Sequence, residues 1–188
     1  MYTGRMPVMI SMLRGVNLGP HNRLKMDELR TVYGSLGLRD VQTYVQSGNV
    51  IFRTDKPGTA LVRKIEDAIE RKFGFRCDVV LRTVAELRNV IARNPFASRR
   101  DVAPGKLLVT FLADEPAAGG GERFVKRVSN CAEEVRLDAR ELYIYFPNGV
   151  GRSKLQWHAL AQALGTTGTA RNWNSVTKML EMAEKLES

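Results

Sequence analysis

The chain runs through one order of elements and then begins the same order again, and this repetition restricts its fold more than any other feature. VMISMLRG, residues 8–15, reads as a buried strand that ends at a charged turn. MDELRTVYGSLG follows, with Met26, Leu29, Tyr33 and Leu36 at helical spacing and Gly37 placed to end the helix. VQTYVQ and NVIFRT flank Ser47-Gly48, which reads as a hairpin turn in which glycine supplies a positive φ. Thr59 opens a helix with Leu61, Ile65, Ile69 and Phe73 on one apolar stripe, and the strand RCDVVLR closes a βαββαβ series.

Thr83-Val84-Ala85-Glu86 has the T-x-x-E form of a capped helix start, and Asn94-Pro95 stops that connecting helix. The order then resumes with the strand KLLVTFLA, a helix around Glu122 to Val128, the hairpin EEVRLDARELYIYF and a helix from Ser153. ISMLRG at 10–15 lies beside VTFLAD at 109–114. Phe52 to Thr59 and Phe146 to Ser153 are both seven positions, which predicts equal loops. TTGTARNW offers at most a short β segment before a helix from Asn174, and Gly119-Gly120-Gly121 reads as a flexible loop. The expected fold is α+β, with tandem ferredoxin-like (βαββαβ-type) halves and mainly antiparallel sheets, the second half lacking a clear fourth strand. The boundaries expected are 1–82 for the first half, 83–105 for the connecting helix and loop, and 106–188 for the second half with a C-terminal helix. Residues 7–183 could equally count as a single domain.

With 188 residues, 44% hydrophobic and 26% charged, the chain is long enough to bury a real core. Its 29 basic against 20 acidic side chains leave a net charge of +9, which favours polyanions and acidic surfaces. Residues 71–106 alone hold nine Lys or Arg against three acids. Such an excess serves nucleic-acid binding or simply a solvated face. Cys77 and Cys131 are too far apart for a metal motif or a disulfide framework, and the simplest setting for them is a reducing cytoplasm. MYTGRMPVMISML has too short an apolar run for a secretion signal, and nothing approaches the ~20 apolar residues of a membrane span, so a soluble cytoplasmic protein without a membrane partner is expected.

YFPNGVGRSKL supplies the strongest candidate site: Asn148, Gly149, Gly151, Arg152, Ser153 and Lys154. Ser153 with Gln156 fits a capping box, and a helix start with an arginine fork and a lysine suits a phosphate or carboxylate. The same string also reads as a strand-to-helix corner that needs no ligand. Its first-half counterpart, RTDKPGT, carries Asp55 and Pro57 instead. LRGVNLGPHNRLKM offers Arg14, Asn17, Arg23 and Lys25 on a long loop, with turns and hydrated cations as the bland alternative. Asn49 of TYVQSGNVIF joins the ligand set, as do Arg171, Asn172 and Trp173 of RNWNSV. Trp173 beside Arg171 could stack on a base, or pack back on a helix that Asn174 caps. Tyr143 and Tyr145 share one strand face, where packing is favoured over RNA stacking because no full RNP1 string is present. His21 and His158 are the only histidines, and no acid, base or nucleophile set or metal site emerges. No cofactor is called for.

LRGVNLGPHNRLKM, TYVQSGNVIF, NPF at 94–96, YFPNGVGRSKL and TARNWNSVTKM together resemble the motifs of the DUF1697 family of bacterial cytoplasmic proteins, in order over about residues 8–182. The resemblance implies an α+β fold of ferredoxin-like units and no assigned mechanism. Pro20-His21 stands where that family more often shows glycine and lysine. The leading expectation is an uncharacterised, non-catalytic binding module for a small anionic ligand. Alternatives are a nucleic-acid-binding protein, an enzyme acting on a phosphorylated metabolite, and a protein-interaction or structural role.

Overall fold

Two strands whose every or nearly every residue is buried, β1 (Val8–Leu13) and β5 (Leu107–Leu112), form the inner strands of two separate sheets. Runs of apolar residues without alternation are what a strand covered on both faces requires. The computed structural model describes residues 6–56 and 58–188. Met1 to Arg5, the start of the apolar run read above, and Pro57 of the first corner lie outside the described residues. The chain forms two compact units, one running through Asn89 and including Thr177–Ser188, the other Val90–Val176.

In the first unit β1, α1 (Met26–Ser35), β2 (Arg39–Tyr44), β3 (Asn49–Arg53), α2 (Thr59–Phe73) and β4 (Val79–Thr83) make an antiparallel sheet of order β2-β3-β1-β4. Met9, Leu13, Val50 and Phe52 pack with Leu29, Val32 and Tyr33 of α1 and with Leu61, Ile65 and Ile69 of α2. At the end of α2, Gly74 adopts the left-handed conformation (φ 76°) and returns its N–H to the Glu70 carbonyl, while Arg71 and Lys72 offset the dipole in the last turn. The β2–β3 turn is wider than the Ser47-Gly48 pair. It spans residues 45–48, with Val45 at φ 50° and Gly48 at φ 74°. A Cβ on Gly48 would stand 2.7 Å from that of Leu13, so glycine is needed there for space as well as for φ.

α3 (Val84–Ala92) follows β4 directly, and its T-x-x-E start closes as a capping box. The Thr83 N–H donates to Glu86 Oε2 at 2.7 Å and the Glu86 N–H donates to Thr83 Oγ1 at 3.1 Å.

In the second unit β5, α4 (Gly120–Val128), β6 (Glu134–Asp138), β7 (Glu141–Tyr145), α5 (Trp157–Leu164) and β8 (Gly168–Asn172) repeat the series, with order β6-β7-β5-β8 and every pairing antiparallel. α6 (Trp173–Glu187) follows β8 as α3 follows β4. Leu112, Leu142, Ile144 and Phe146 pack with Phe124 of α4 and Leu160 and Leu164 of α5.

The second sheet therefore has four strands, which corrects the expectation of a missing one. Sequence hid β8 because its inward positions are Thr169 and Arg171, buried polar side chains where alternation leads one to seek apolar ones. Its place is fixed by pairing with β5 and by Gly168, where a Cβ would stand 2.7 Å from the Phe111 carbonyl oxygen. The triple glycine is also not a flexible loop. Gly120 begins α4 against the end of α5, where its Cβ would lie 3.0 Å from the Leu164 carbonyl oxygen.

Register relates the two sheets residue by residue. Ile10 stands opposite Ile51 and Arg82, and Val109 opposite Tyr143 and Arg171. Ile10 thus corresponds to Val109, as the alignment of ISMLRG with VTFLAD requires, and buried Arg82 corresponds to buried Arg171. The same register overturns the equal corners. Val8 faces Arg53 and Leu107 faces Tyr145, so Phe146 corresponds to Thr54 and not to Phe52. From Thr54 to the start of α2 is five positions, and from Phe146 to the start of α5 is eleven. Conversely, twelve residues (14–25) join β1 to α1 against seven (113–119) joining β5 to α4. Each unit carries one enlarged loop, at a different place in the common series.

Candidate functional site

The two enlarged loops carry most of the candidate cations, and the structure treats them differently. In the first unit a cleft of about 730 Å³ is lined by Asn17, Arg23, Leu24, Lys25, Met26, Asp27, Glu28 and Gln46. Asn17, left-handed at φ 55°, is its keystone. Its amide group donates to the Leu24 carbonyl at 3.0 Å and to the Gln46 carbonyl at 2.8 Å, and its oxygen accepts the Leu24 N–H at 2.9 Å. One side chain therefore ties the β1–α1 loop to itself and to the β2–β3 turn, so Asn17 shapes the wall and spends both of its donors doing so.

Around that wall the charges separate into engaged and free. Arg14 pairs with Asp78 at 3.0 Å. Asp27 pairs with Arg30, and Glu28 with Lys72 at 3.4 Å. Arg23 and Lys25 are exposed, and no carboxylate among the described residues pairs with either. Lys25 occupies the cap position of α1 without a side-chain hydrogen bond to the helix, so no side chain of the cap residue covers the first-turn amides. Asn49 is elsewhere in purpose. It is fully buried, and its amide group donates to the Tyr44 carbonyl and to Ser47 Oγ, holding the turn from beneath.

In the second unit the expected helix start at Ser153 is not formed. Val150–Arg152 makes a single 3-10 turn, and α5 begins only at Trp157. Ser153 Oγ accepts the Leu155 N–H at 3.1 Å, a local turn that replaces the capping box with Gln156. The N–H groups of Gly149, Arg152 and Ser153 are bound to Phe146, Gly149 and Val150 carbonyls, so these amides do not form a phosphate cradle. Lys106 Nζ donates to the Pro147 carbonyl at 2.8 Å and anchors the loop. Asn148, Gly151, Arg152 and Lys154 remain exposed, beside Trp157, which is 41% exposed.

In the third cluster Arg171 is buried, while Asn172 and Trp173 are half-buried. Arg171 is 7% exposed and donates to Thr169 Oγ1 and the Ala170 carbonyl, and burial pushes its pKa down to about 10. Asn172, not Asn174, caps α6: its Oδ1 accepts the Asn174 N–H at 3.0 Å. The tyrosine face is closed as well. Tyr143 donates to the Val90 carbonyl at 2.8 Å and Tyr145 to the Asp101 carbonyl at 3.1 Å, with the Phe96 ring 6.3 Å from that of Tyr145. Bases cannot stack on a face already occupied by residues 90–101.

The Cys77 thiol is pushed up to about 12, first by burial and then by Glu66 and Asp78, so it stays protonated at neutral pH. No group of three His, Cys, Asp or Glu able to hold a metal occurs among the described residues. No helix among them is long and apolar enough to cross a membrane.

The DUF1697 family model, described as a protein of unknown function, matches residues 6–143. The chain belongs to this family. The DUF1697 match includes the cleft and stops before the loop at 147–156 and the RNWNSV segment. No curated protein matches the chain. Among solved structures the DUF1697 fold here is similar to that of the conserved bacterial protein SP0830 from Streptococcus pneumoniae, at 20% identity and a TM-score of 0.73, covering 95% of this chain and 99% of that one.

Gln46 lines the cleft and is not among the residues expected from the sequence. Gln46 reaches the cleft only because the β2–β3 turn folds over the β1–α1 loop, a contact across 29 positions that no local pattern signals.

Proposed function

We propose that the protein is a non-catalytic binding module whose cleft in the first unit takes a small anionic ligand, bearing phosphate or carboxylate, between Arg23 and Lys25. The observation that carries the reading is that these two cations line a cleft of about 730 Å³ while its acids, Asp27 and Glu28, are already engaged by Arg30 and Lys72. A guanidinium fork and a point charge beside a helix start are the groups that hold such anions. Each unit is read as a ferredoxin-like split βαβ, supported by the orders β2-β3-β1-β4 and β6-β7-β5-β8. A reducing cytoplasm suits its two free cysteines.

The test is a thermal-shift series with phosphate, phosphorylated metabolites and carboxylates on the wild type, Arg23→Gln/Lys25→Gln and Arg152→Gln. A ligand bound only by the folded chain raises the melting temperature by mass action. The shift is expected in the wild type and in Arg152→Gln and is lost in the double variant. Absence of any shift in the wild type refutes the reading.

A second reading, single-stranded nucleic acid on the loop of the second unit, has one observation in its favour. No acid occurs between Glu141 and Glu181, and exposed Arg152 and Lys154 stand there beside the exposed Trp157. Binding that does not weaken between low and physiological salt would sink it, since phosphate contacts release counterions.

A further inference from the structure

Among the described residues only a few large apolar side chains are well exposed, and two of them are chain neighbours of residues that line the cleft of the first unit. Leu18 is 82% exposed and follows Asn17 in the chain, and Val45 is 49% exposed and precedes Gln46. Asn17 and Gln46 are joined by the 2.8 Å bond from the Asn17 amide to the Gln46 carbonyl, so the two apolar residues are carried on backbone segments tied together beside the cleft. Single exposed hydrophobic residues need no explanation. Val45 differs because it is β-branched and held at φ 50°, a left-handed conformation in which such residues are outliers. An asparagine would take that conformation with less strain and would be better solvated. An apolar group at a strained and exposed position points to a contact made from outside.

We infer that the ligand of this cleft is an amphiphilic anion, with its phosphate or carboxylate at Arg23 and Lys25 and an apolar group lying on Leu18 and Val45. The inference rests on the anion-binding reading above and adds to it the second half of the ligand. Arg23 and Lys25 line the cleft itself, whereas Leu18 and Val45 are each the chain neighbour of a lining residue, Asn17 and Gln46. Inorganic phosphate satisfies only the cations. A straight-chain carboxylate or alkyl phosphate satisfies both pairs, and its affinity grows with the apolar surface it removes from water.

Calorimetric titration of the full chain with inorganic phosphate, with acetate to octanoate, and with methyl to hexyl phosphate separates the two claims. Affinity is expected to rise about 2–4-fold per methylene until Leu18 and Val45 are covered. In Leu18→Ser/Val45→Asn the dependence on chain length flattens while binding of inorganic phosphate is unchanged. Both substitutions lie at exposed positions, and Val45→Asn relieves the left-handed backbone, so the variant is expected to fold. A flat series in the wild type, with phosphate and acetate bound, overturns this inference and leaves the anion site standing. A rising series that survives in Leu18→Ser/Val45→Asn overturns the assignment of these two residues. Absence of binding by every compound removes the anion site and this inference together.

Discussion

The fourth residue of each central strand offers a test in which one fold, used twice, should give opposite signs. In β1 this residue is Ser11, whose Oγ lies 2.7 Å from the Tyr33 hydroxyl in the core of the first unit. In β5 it is Thr110, 7% exposed, whose hydroxyl has no hydrogen-bond partner. α4 brings Phe124 and Val128 into the core of its unit and no counterpart of Tyr33. Burying a hydroxyl without a partner costs about 1–3 kcal/mol, and Thr110→Val exchanges that hydroxyl for a methyl of similar volume. The exchange is expected to stabilise the second unit by about 1–2 kcal/mol after allowance for the fit of the new methyl. For a unit of this size that is about 4–8 °C per kcal/mol in melting temperature. Both tryptophans, Trp157 and Trp173, lie within Val90–Val176, so urea unfolding followed by tryptophan fluorescence reports on the unit that carries the change. Ser11→Ala is expected to do the reverse, weakening protection of the β1 amides against hydrogen exchange by about 1–3 kcal/mol because the Tyr33 hydroxyl loses its partner. Adding Tyr33→Phe to Ser11→Ala should restore most of the loss, since removing both partners leaves nothing unsatisfied. A Thr110→Val protein that unfolds at lower urea than the wild type would refute the reasoning.

Other substitutions probe the features around the site. Gly120→Ala is expected to destabilise the second unit by about 1–3 kcal/mol in the same fluorescence assay, because its Cβ would press on the Leu164 carbonyl oxygen at 3.0 Å. Asn17→Ala removes three hydrogen bonds and leaves a left-handed backbone without asparagine, so a loss of about 2 kcal/mol is expected in thermal unfolding, together with loss of the ligand-induced shift. Thiol labelling at pH 8 should modify half-buried Cys131 quickly and buried Cys77, whose thiol titrates only near about 12, on the timescale of unfolding; equal rates would contradict the burial of Cys77.

Element order was legible because it is carried by apolar periodicity and by punctuation with local physics. Leu61, Ile65 and Ile69 mark α2, Thr83 with Glu86 caps α3, and Gly37 at φ 79° ends α1. β8 was not legible, since its inward side chains are a threonine and an arginine. The seven-residue corners matched by coincidence of two phenylalanines, and only cross-strand register, which depends on contacts far apart in the chain, distinguishes Phe52 from the true counterpart of Phe146. The same limit applied to the site. Arg23 and Lys25 were named from their loop, but that Asn17 is a wall, that Asn49 and Arg171 are buried, and that Gln46 closes the cleft follow from packing alone.

The segment Thr177–Ser188 belongs to the same unit as β1–β4. Arg53 of β3 donates to the Leu186 carbonyl, and Arg88 of α3 pairs with Glu184 at 2.9 Å and Glu187 at 3.7 Å. On the ribosome, then, the half that is synthesised first is the half that is completed last. Its sheet and two helices can collapse early, with Arg53 already held by Asp40 and the Met6 carbonyl, but Arg88 must wait for Glu184 and Glu187 while the whole of Val90–Val176 is made and folds. A chain halted at Val176 would hold a finished second half attached to an unfinished first one, and proteases should find their earliest cuts on the older of the two.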